Sequence, residues 1–185
     1  MNLPNKITLA RIFLIPFFIV VLMTRGFGGV STLYSDIAAA VIFAAAALTD
    51  GVDGYLARKN NQVTDLGKFL DPIADKLLIA SALICLVELQ RIPAYMAIII
   101  IAREFIVTGL RIVAISNGVV MAAEMTGKIK TVIQIFATVI TLLFPSVMIG
   151  KITLGYLVML IATLFTIYSG YVYLSKNWDM VINSK

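Results

Sequence analysis

Apolar residues run in long unbroken stretches along this chain, and the polar ones gather mainly where those stretches end. Six segments, 7–24, 36–57, 68–88, 93–115, 129–148 and 152–174, each offer about the 20 mostly apolar residues that a helix needs to cross a bilayer. The pattern predicts an all-α, polytopic membrane protein: a six-transmembrane-helix bundle forming a single domain over 1–185. Turn-rich connectors are read at "GFGGVSTLYS" (26–35), "RKNNQVTD" (58–65) and "FPSVMIGK" (144–151). Pro4, Lys6 and Arg11 read as a short interfacial lead-in to a first membrane helix, since the run after them ends at "TRGFGG" without a small-residue cleavage site. Tyr168, Tyr171, Tyr173 and Trp178 fall near the end of the last segment, where an interfacial aromatic belt is expected.

Composition supports this reading. Of the 185 residues, 61% are hydrophobic and 14% charged, and the mean hydropathy of +0.99 lies outside the soluble range. The charge is asymmetric. With six spans and the N-terminus inside, twelve of the fifteen Lys and Arg fall on the inner side, leaving Arg25, Arg91 and Lys151 outside. The positive-inside rule then places both termini on the cytoplasmic side of the cell membrane. A net charge of +5 concentrated on that face suits anionic headgroups and phosphates rather than nucleic acid.

Two residue types restrict the chemistry. Histidine is absent, which removes the commonest general base and transition-metal ligand. Cys85 is the single cysteine, so no intramolecular disulfide or cysteine metal cluster can form. Reactivity is left to carboxylates, amines, guanidinium groups, hydroxyls or a bound hard metal, for which oxygen ligands favour Mg²⁺ or Mn²⁺.

The carboxylates are concentrated. Five of the ten acidic residues, Asp50, Asp53, Asp65, Asp71 and Asp75, lie in "TDGVDGYLARKNNQVTDLGKFLDPIADK" (49–76). Asp50 and Asp53 are three apart and Asp71 and Asp75 four apart, so each pair projects from one face of its own helix. The short turn between the helices makes them antiparallel neighbours, and four unpaired carboxylates converging there would repel one another. Divalent cations relieve that repulsion, as in bundles whose facing helices hold two metals. Gly54 is one turn from Asp50 and Gly67 one turn from Asp71, leaving room for a ligand beside the metals. Arg58 stands at the mouth of the cluster. Metals and an arginine at a membrane surface point to a polyphosphate substrate, whose in-line displacement two divalent ions can assist.

Written out, the segment is D-x2-D-G-x2-A-R-x8-G-x3-D-x3-D, from Asp50 to Asp75. It resembles the signature of the CDP-alcohol phosphotransferase family at every fixed position. The resemblance implies six transmembrane helices, a cytoplasm-facing metal site and a homodimer. It further implies that Asp50, Asp53, Asp71 and Asp75 hold two divalent cations, Asp71 bridging them, with Asp75 as the catalytic base. Thr8, Arg11, Gly54, Arg58, Thr64 and Gly67 match positions at the CDP part. The implied reaction is attack of an alcohol on the β-phosphorus of a CDP-alcohol, releasing CMP.

The acceptor is read from other segments. "AREFIVTGLR" carries Arg103 and Arg111, eight residues apart and close to one helix face, and "TGKIKT" carries Lys128 and Lys130. Four cations facing a carboxylate and metal site suit an anionic acceptor and disfavour choline or ethanolamine. Together with "LPNKITLAR", these segments resemble the phosphatidylglycerophosphate synthases within the family, which implies CDP-diacylglycerol as donor and glycerol 3-phosphate as acceptor. Inositol phosphate, serine and phosphatidylglycerol remain alternative acceptors. Outside the family, an intramembrane prenyltransferase or a divalent cation transporter would also use intramembrane carboxylates.

Overall fold

The structure is a computed structural model. It describes the backbone of residues 3–29, 31–59, 65–116 and 125–178, and the side chains of 8–29, 31–49, 73–114 and 125–178. Six long helices account for nearly all of it: α1 Leu3–Met23, α2 Thr32–Lys59, α3 Asp65–Glu88, α4 Ala94–Ser116, α5 Met125–Leu143 and α6 Leu154–Lys176. Each contains one of the apolar runs or most of it, but the ends differ from those expected. Helix α1 already includes Pro4, Lys6 and Arg11 rather than following a lead-in. This is compatible with Pro4, because the first turn of a helix does not use the amide that proline lacks. Helix α2 begins at Thr32, inside the stretch read as a connector, and carries Asp36 in its second turn.

The third connector also has structure of its own. Met148–Ile149 (β1) and Ile152–Thr153 (β2) form a two-stranded antiparallel ribbon, Met148 opposite Thr153 and Ile149 opposite Ile152. Gly150 makes the reversal with a φ of 66°, a conformation that side chains with a Cβ disfavour. Thr153 then caps α6, its hydroxyl accepting from the Tyr156 amide at 3.2 Å.

Helix α1 packs on α2 and α3, α2 also on α5, α4 on α3 and α6, and α5 on α6. The core lies between them. Phe18 of α1 and Phe43 of α2 meet with ring centroids 5.9 Å apart, and Leu78, Leu86, Met96, Ile100, Leu142 and Met159 are all buried around the same centre. Ala39 and Ala40 are buried against the neighbouring helices, so these small residues of α2 serve packing within the chain. The outer surface is the apolar one: Phe13, Val41, Leu48, Ile98, Phe105, Phe136 and Leu164 are all exposed. Among the described residues, Thr32–Thr49, Met125–Leu143 and Leu154–Lys176 are long and apolar enough to cross a bilayer. Apolar side chains outside, with hydroxyls and charges inside, describe a helical membrane protein.

At the end of α3 the chain turns sharply. Gln90 takes a φ of 55°, and the amides of Gln90 and Arg91 return to the carbonyls of Val87 and Leu86, both at 2.9 Å. This pattern closes a helix with one left-handed residue. It delivers the Arg91 guanidinium into the bundle, where it donates to Asp36 at 2.6 Å and to the carbonyls of Thr141 and Leu142 at 3.4 and 3.2 Å. Arg25 lies 3.8 Å from the same Asp36 oxygen. Burial lowers the Arg91 guanidinium from its usual pKa, and the hydrogen bond to Asp36 opposes that shift. A carboxylate of α2 thus ties together the connectors after α1 and α3 and the end of α5.

Candidate active site

The acidic signature is distributed over two helices in contact. Asp50, Asp53, Gly54 and Arg58 lie on the last turns of α2, and Gly67, Asp71 and Asp75 on the first turns of α3. Because the backbone is helical through both stretches, the three- and four-residue spacings put each aspartate pair on one helix face. The side chains of Asp50, Asp53, Gly54, Arg58, Gly67 and Asp71, and Thr64 altogether, lie outside the described residues. Among the described residues no three acidic or thiol side chains come together. The donor set of the signature is nevertheless oxygen only, with no imidazole anywhere in the chain, and that chemistry fits a hard divalent ion such as Mg²⁺ or Mn²⁺.

Asp75 has a described side chain. It is half-buried and lines a cavity of about 270 Å³ enclosed by α3, α4, α5 and α6. Lys76 stands beside it. Arg103 and Arg111 enter from α4, and Lys128 and Lys130 from the first turn and a half of α5. Five cations and two carboxylates, Asp75 and Glu104, therefore surround one space. Arg103 and Arg111 share a face of α4 because eight residues span little more than two turns.

Three of the five cations, Arg103, Lys130 and Arg111, are held by neighbouring groups. Arg103 donates from Nη2 to the Ser169 hydroxyl of α6 at 2.9 Å, and its Nη1 lies 3.6 Å from Glu104 Oε1. The Lys130 ammonium, only 4% exposed, donates to the same Glu104 oxygen. The Arg111 guanidinium sits 6.0 Å from the ring centroid of Tyr173, within cation–π range. A Cβ at Gly170 would come within 3.2 Å of Arg103 Cγ, so this glycine of α6 makes room for the arginine. Thr8 and Arg11 are buried on α1, each about 1% exposed.

Several cavity residues do not follow from the sequence pattern. Tyr173, grouped there with an interfacial belt, is 3% exposed and forms part of the cavity wall, whereas Tyr168, Tyr171 and Trp178 are exposed. Glu104 adjoins Arg103 in the sequence, yet it accepts a hydrogen bond from a lysine on another helix. A charged residue in the middle of an apolar run is a site signal in itself, and Glu104 in "IIIIAREFIV" meets that criterion.

The family profile for CDP-alcohol phosphatidyltransferase matches residues 1–168. A CDP-diacylglycerol–glycerol-3-phosphate 3-phosphatidyltransferase of Bacillus subtilis (strain 168) is 48% identical, over 99% of this chain and 98% of its own length. One of the same name from Rickettsia felis is 38% identical over 93% of each chain. A probable phosphatidylglycerophosphate synthase of Mycobacterium tuberculosis is 43% identical over 74% of this chain and 63% of its own. With a profile that spans most of its length and a relative similar from end to end, the chain belongs to the CDP-alcohol phosphatidyltransferase family.

Proposed function

We propose that this protein transfers the phosphatidyl group of CDP-diacylglycerol to glycerol 3-phosphate, forming phosphatidylglycerophosphate and CMP. The relatives similar along its whole length carry that activity in their names. The observation that carries the reading to this chain is the cavity: a carboxylate of the signature, Asp75, shares one small space with Arg103, Arg111, Lys128 and Lys130. A phosphomonoester could lodge its dianion among those cations and present its hydroxyl to the carboxylate. Choline or ethanolamine would be repelled there, and a neutral acceptor would leave the excess positive charge of the cavity uncompensated.

In this mechanism Arg103, Arg111, Lys128 and Lys130 bind and orient the acceptor phosphate. Asp75 takes the proton from the acceptor hydroxyl as its oxygen attacks the β-phosphorus, and the bond from that phosphorus to the oxygen of CMP breaks. Asp50, Asp53, Asp71 and Asp75 would hold two divalent cations, Mg²⁺ or Mn²⁺, which when bound supply charge neutralisation for the diphosphate. Thr8, Arg11, Gly54, Arg58, Thr64 and Gly67 would contact the CDP part, and the acyl chains would lie in the bilayer. All six helices cross the membrane with both termini and the site on the cytoplasmic side, where the positive-inside rule places most of the lysines and arginines. The protein works as a homodimer.

The test is CMP release by purified protein in detergent with Mg²⁺ and CDP-diacylglycerol. Glycerol 3-phosphate, inositol phosphate and serine are offered in separate reactions. Release with glycerol 3-phosphate alone is expected. Release only with another acceptor would overturn the acceptor assignment and keep the reaction type, and ion flux without any CMP release would favour transport.

A further inference from the structure

Glu104 is an unlikely neighbour for an anion site: a carboxylate placed among the cations of the cavity. Its Oε1 accepts from the Lys130 ammonium of α5 and lies 3.6 Å from Nη1 of Arg103. Arg103 is held from its other side by Ser169 of α6. One carboxylate oxygen thus gathers two cations, from different helices, that would otherwise repel each other. A lysine ammonium sits on a flexible four-carbon stem, and at 4% exposure Lys130 has little access to water that could compensate its charge. Arg103, Glu104 and Lys130 all line the cavity. An ion pair that only braced α4 against α5 would have no need to face that space.

We propose that Glu104 is a positioning residue of the acceptor site: it fixes Lys130 and Arg103 in the places from which both reach one phosphate group of a phosphomonoester. This rests on the acceptor reading above. Its physical advantage is preorganisation, since side chains already immobilised before binding lose no further freedom when the anion arrives. The repulsion between Glu104 and the incoming anion is the smaller effect, because without Glu104 the buried Lys130 has lost its counter-charge and leaves the position that makes it useful.

The experiment measures KM for glycerol 3-phosphate and for CDP-diacylglycerol, with kcat, in wild type, Glu104→Gln, Lys130→Ala and the double variant. Glu104→Gln is expected to raise the acceptor KM about tenfold, the scale of one charge-assisted hydrogen bond, with the donor KM unchanged. The double variant should lose less than the product of the two single effects, because Glu104 acts partly through Lys130 and partly through Arg103. A parallel loss in both KM values and kcat would reduce Glu104 to a helix brace. An unchanged or lower acceptor KM would show that the carboxylate competes with phosphate, and full additivity would separate it from Lys130; each outcome overturns the proposal. If Glu104→Gln cannot be purified folded, Glu104→Asp keeps the charge and withdraws it by one methylene, and an acceptor KM equal to wild type would again overturn it. Calorimetric binding of inorganic phosphate separates this inference from the acceptor reading. About tenfold weaker binding in Glu104→Gln than in wild type upholds the role of Glu104 even where glycerol 3-phosphate is not turned over, and equal binding, or none in wild type, overturns it.

Discussion

Charged side chains are buried at both ends of this bundle, roughly 20 Å apart along α3, and the two ends treat them in opposite ways. Beyond the C-terminal end of α3, Arg91 is closed in: one nitrogen meets Asp36, another the final carbonyls of α5. At Asp75 and Lys76, in the middle of α3, five cations face two carboxylates around a space of about 270 Å³. The first arrangement consumes its own charge and joins chain segments. The second keeps positive charge in excess and room beside it, which is what an anionic ligand requires. Burial of charge alone does not distinguish architecture from a site, and neither does space, since Arg91 and Lys151 border an open cleft of about 550 Å³; the gathering of five cations from three helices around one cavity does.

The largest effect should come from the open end. Asp75→Asn is expected to lower kcat for CMP release by about a thousandfold, within the range for loss of a general base, while binding of CDP-diacylglycerol stays measurable. Full activity would remove Asp75 from the mechanism. The closed end should respond in stability instead. Arg91→Met leaves the buried Asp36 with only the more distant Arg25, 3.8 Å away, and is expected to cost about 3 kcal/mol, lowering the thermal midpoint by roughly 10 °C with both KM values as in wild type. A rise in the acceptor KM there would erase the contrast between the two ends.

Next in size are the cations that line the cavity. Lys130→Ala and Arg111→Ala should each raise the KM for glycerol 3-phosphate by about tenfold and leave the donor KM nearly unchanged, as expected when one charged contact to the acceptor is lost. Equal changes for both substrates would show that these residues hold the bundle together instead of the acceptor.

The sequence and the structure agree where local pattern governs. Six apolar runs became six helices because length and hydrophobicity act within one segment. The spacings of Asp50 with Asp53 and of Asp71 with Asp75 needed only the period of a helix to be read. Arg103 and Arg111 were legible from a spacing of eight residues on one helix, and Lys128 and Lys130 from the basic segment "TGKIKT". What stayed hidden depends on partners distant in sequence. Nothing near Asp36 announces Arg91, 55 positions away, and nothing near Glu104 announces Lys130, 26 positions on. Tyr173 differs from the exposed Tyr171 only by which way α6 faces α4, a property of packing rather than of composition. The short ribbon before α6 was missed because two residues per strand are too few to show alternation.

The smallest predicted effects give the sharpest comparison, because the same substitution can be made on α6 at both ends. A Cβ at Gly155 would stand 2.9 Å from Thr141 Cγ2 and 3.3 Å from the Thr141 Cα, so backbone must yield. Gly155→Ala is therefore expected to destabilise by about 1–3 kcal/mol, the usual cost of overpacking, without altering either KM. At Gly170 the nearest atoms, 3.2 and 3.8 Å away, belong to the Arg103 side chain, which can shift by a few tenths of an ångström. Alanine is also the better helix former, by about 1 kcal/mol, so Gly170→Ala should be as stable as wild type or slightly more so. Its acceptor KM should nevertheless rise, by about twofold to fivefold, because the displaced arginine no longer sits where Ser169 and Glu104 hold it. Thermal midpoints and acceptor KM values of the two variants should thus move in opposite combinations. An acceptor KM that rises in Gly155→Ala but not in Gly170→Ala would mean that the shape of the cavity is governed from the far end of the helix, and the two ends could no longer be treated as independent.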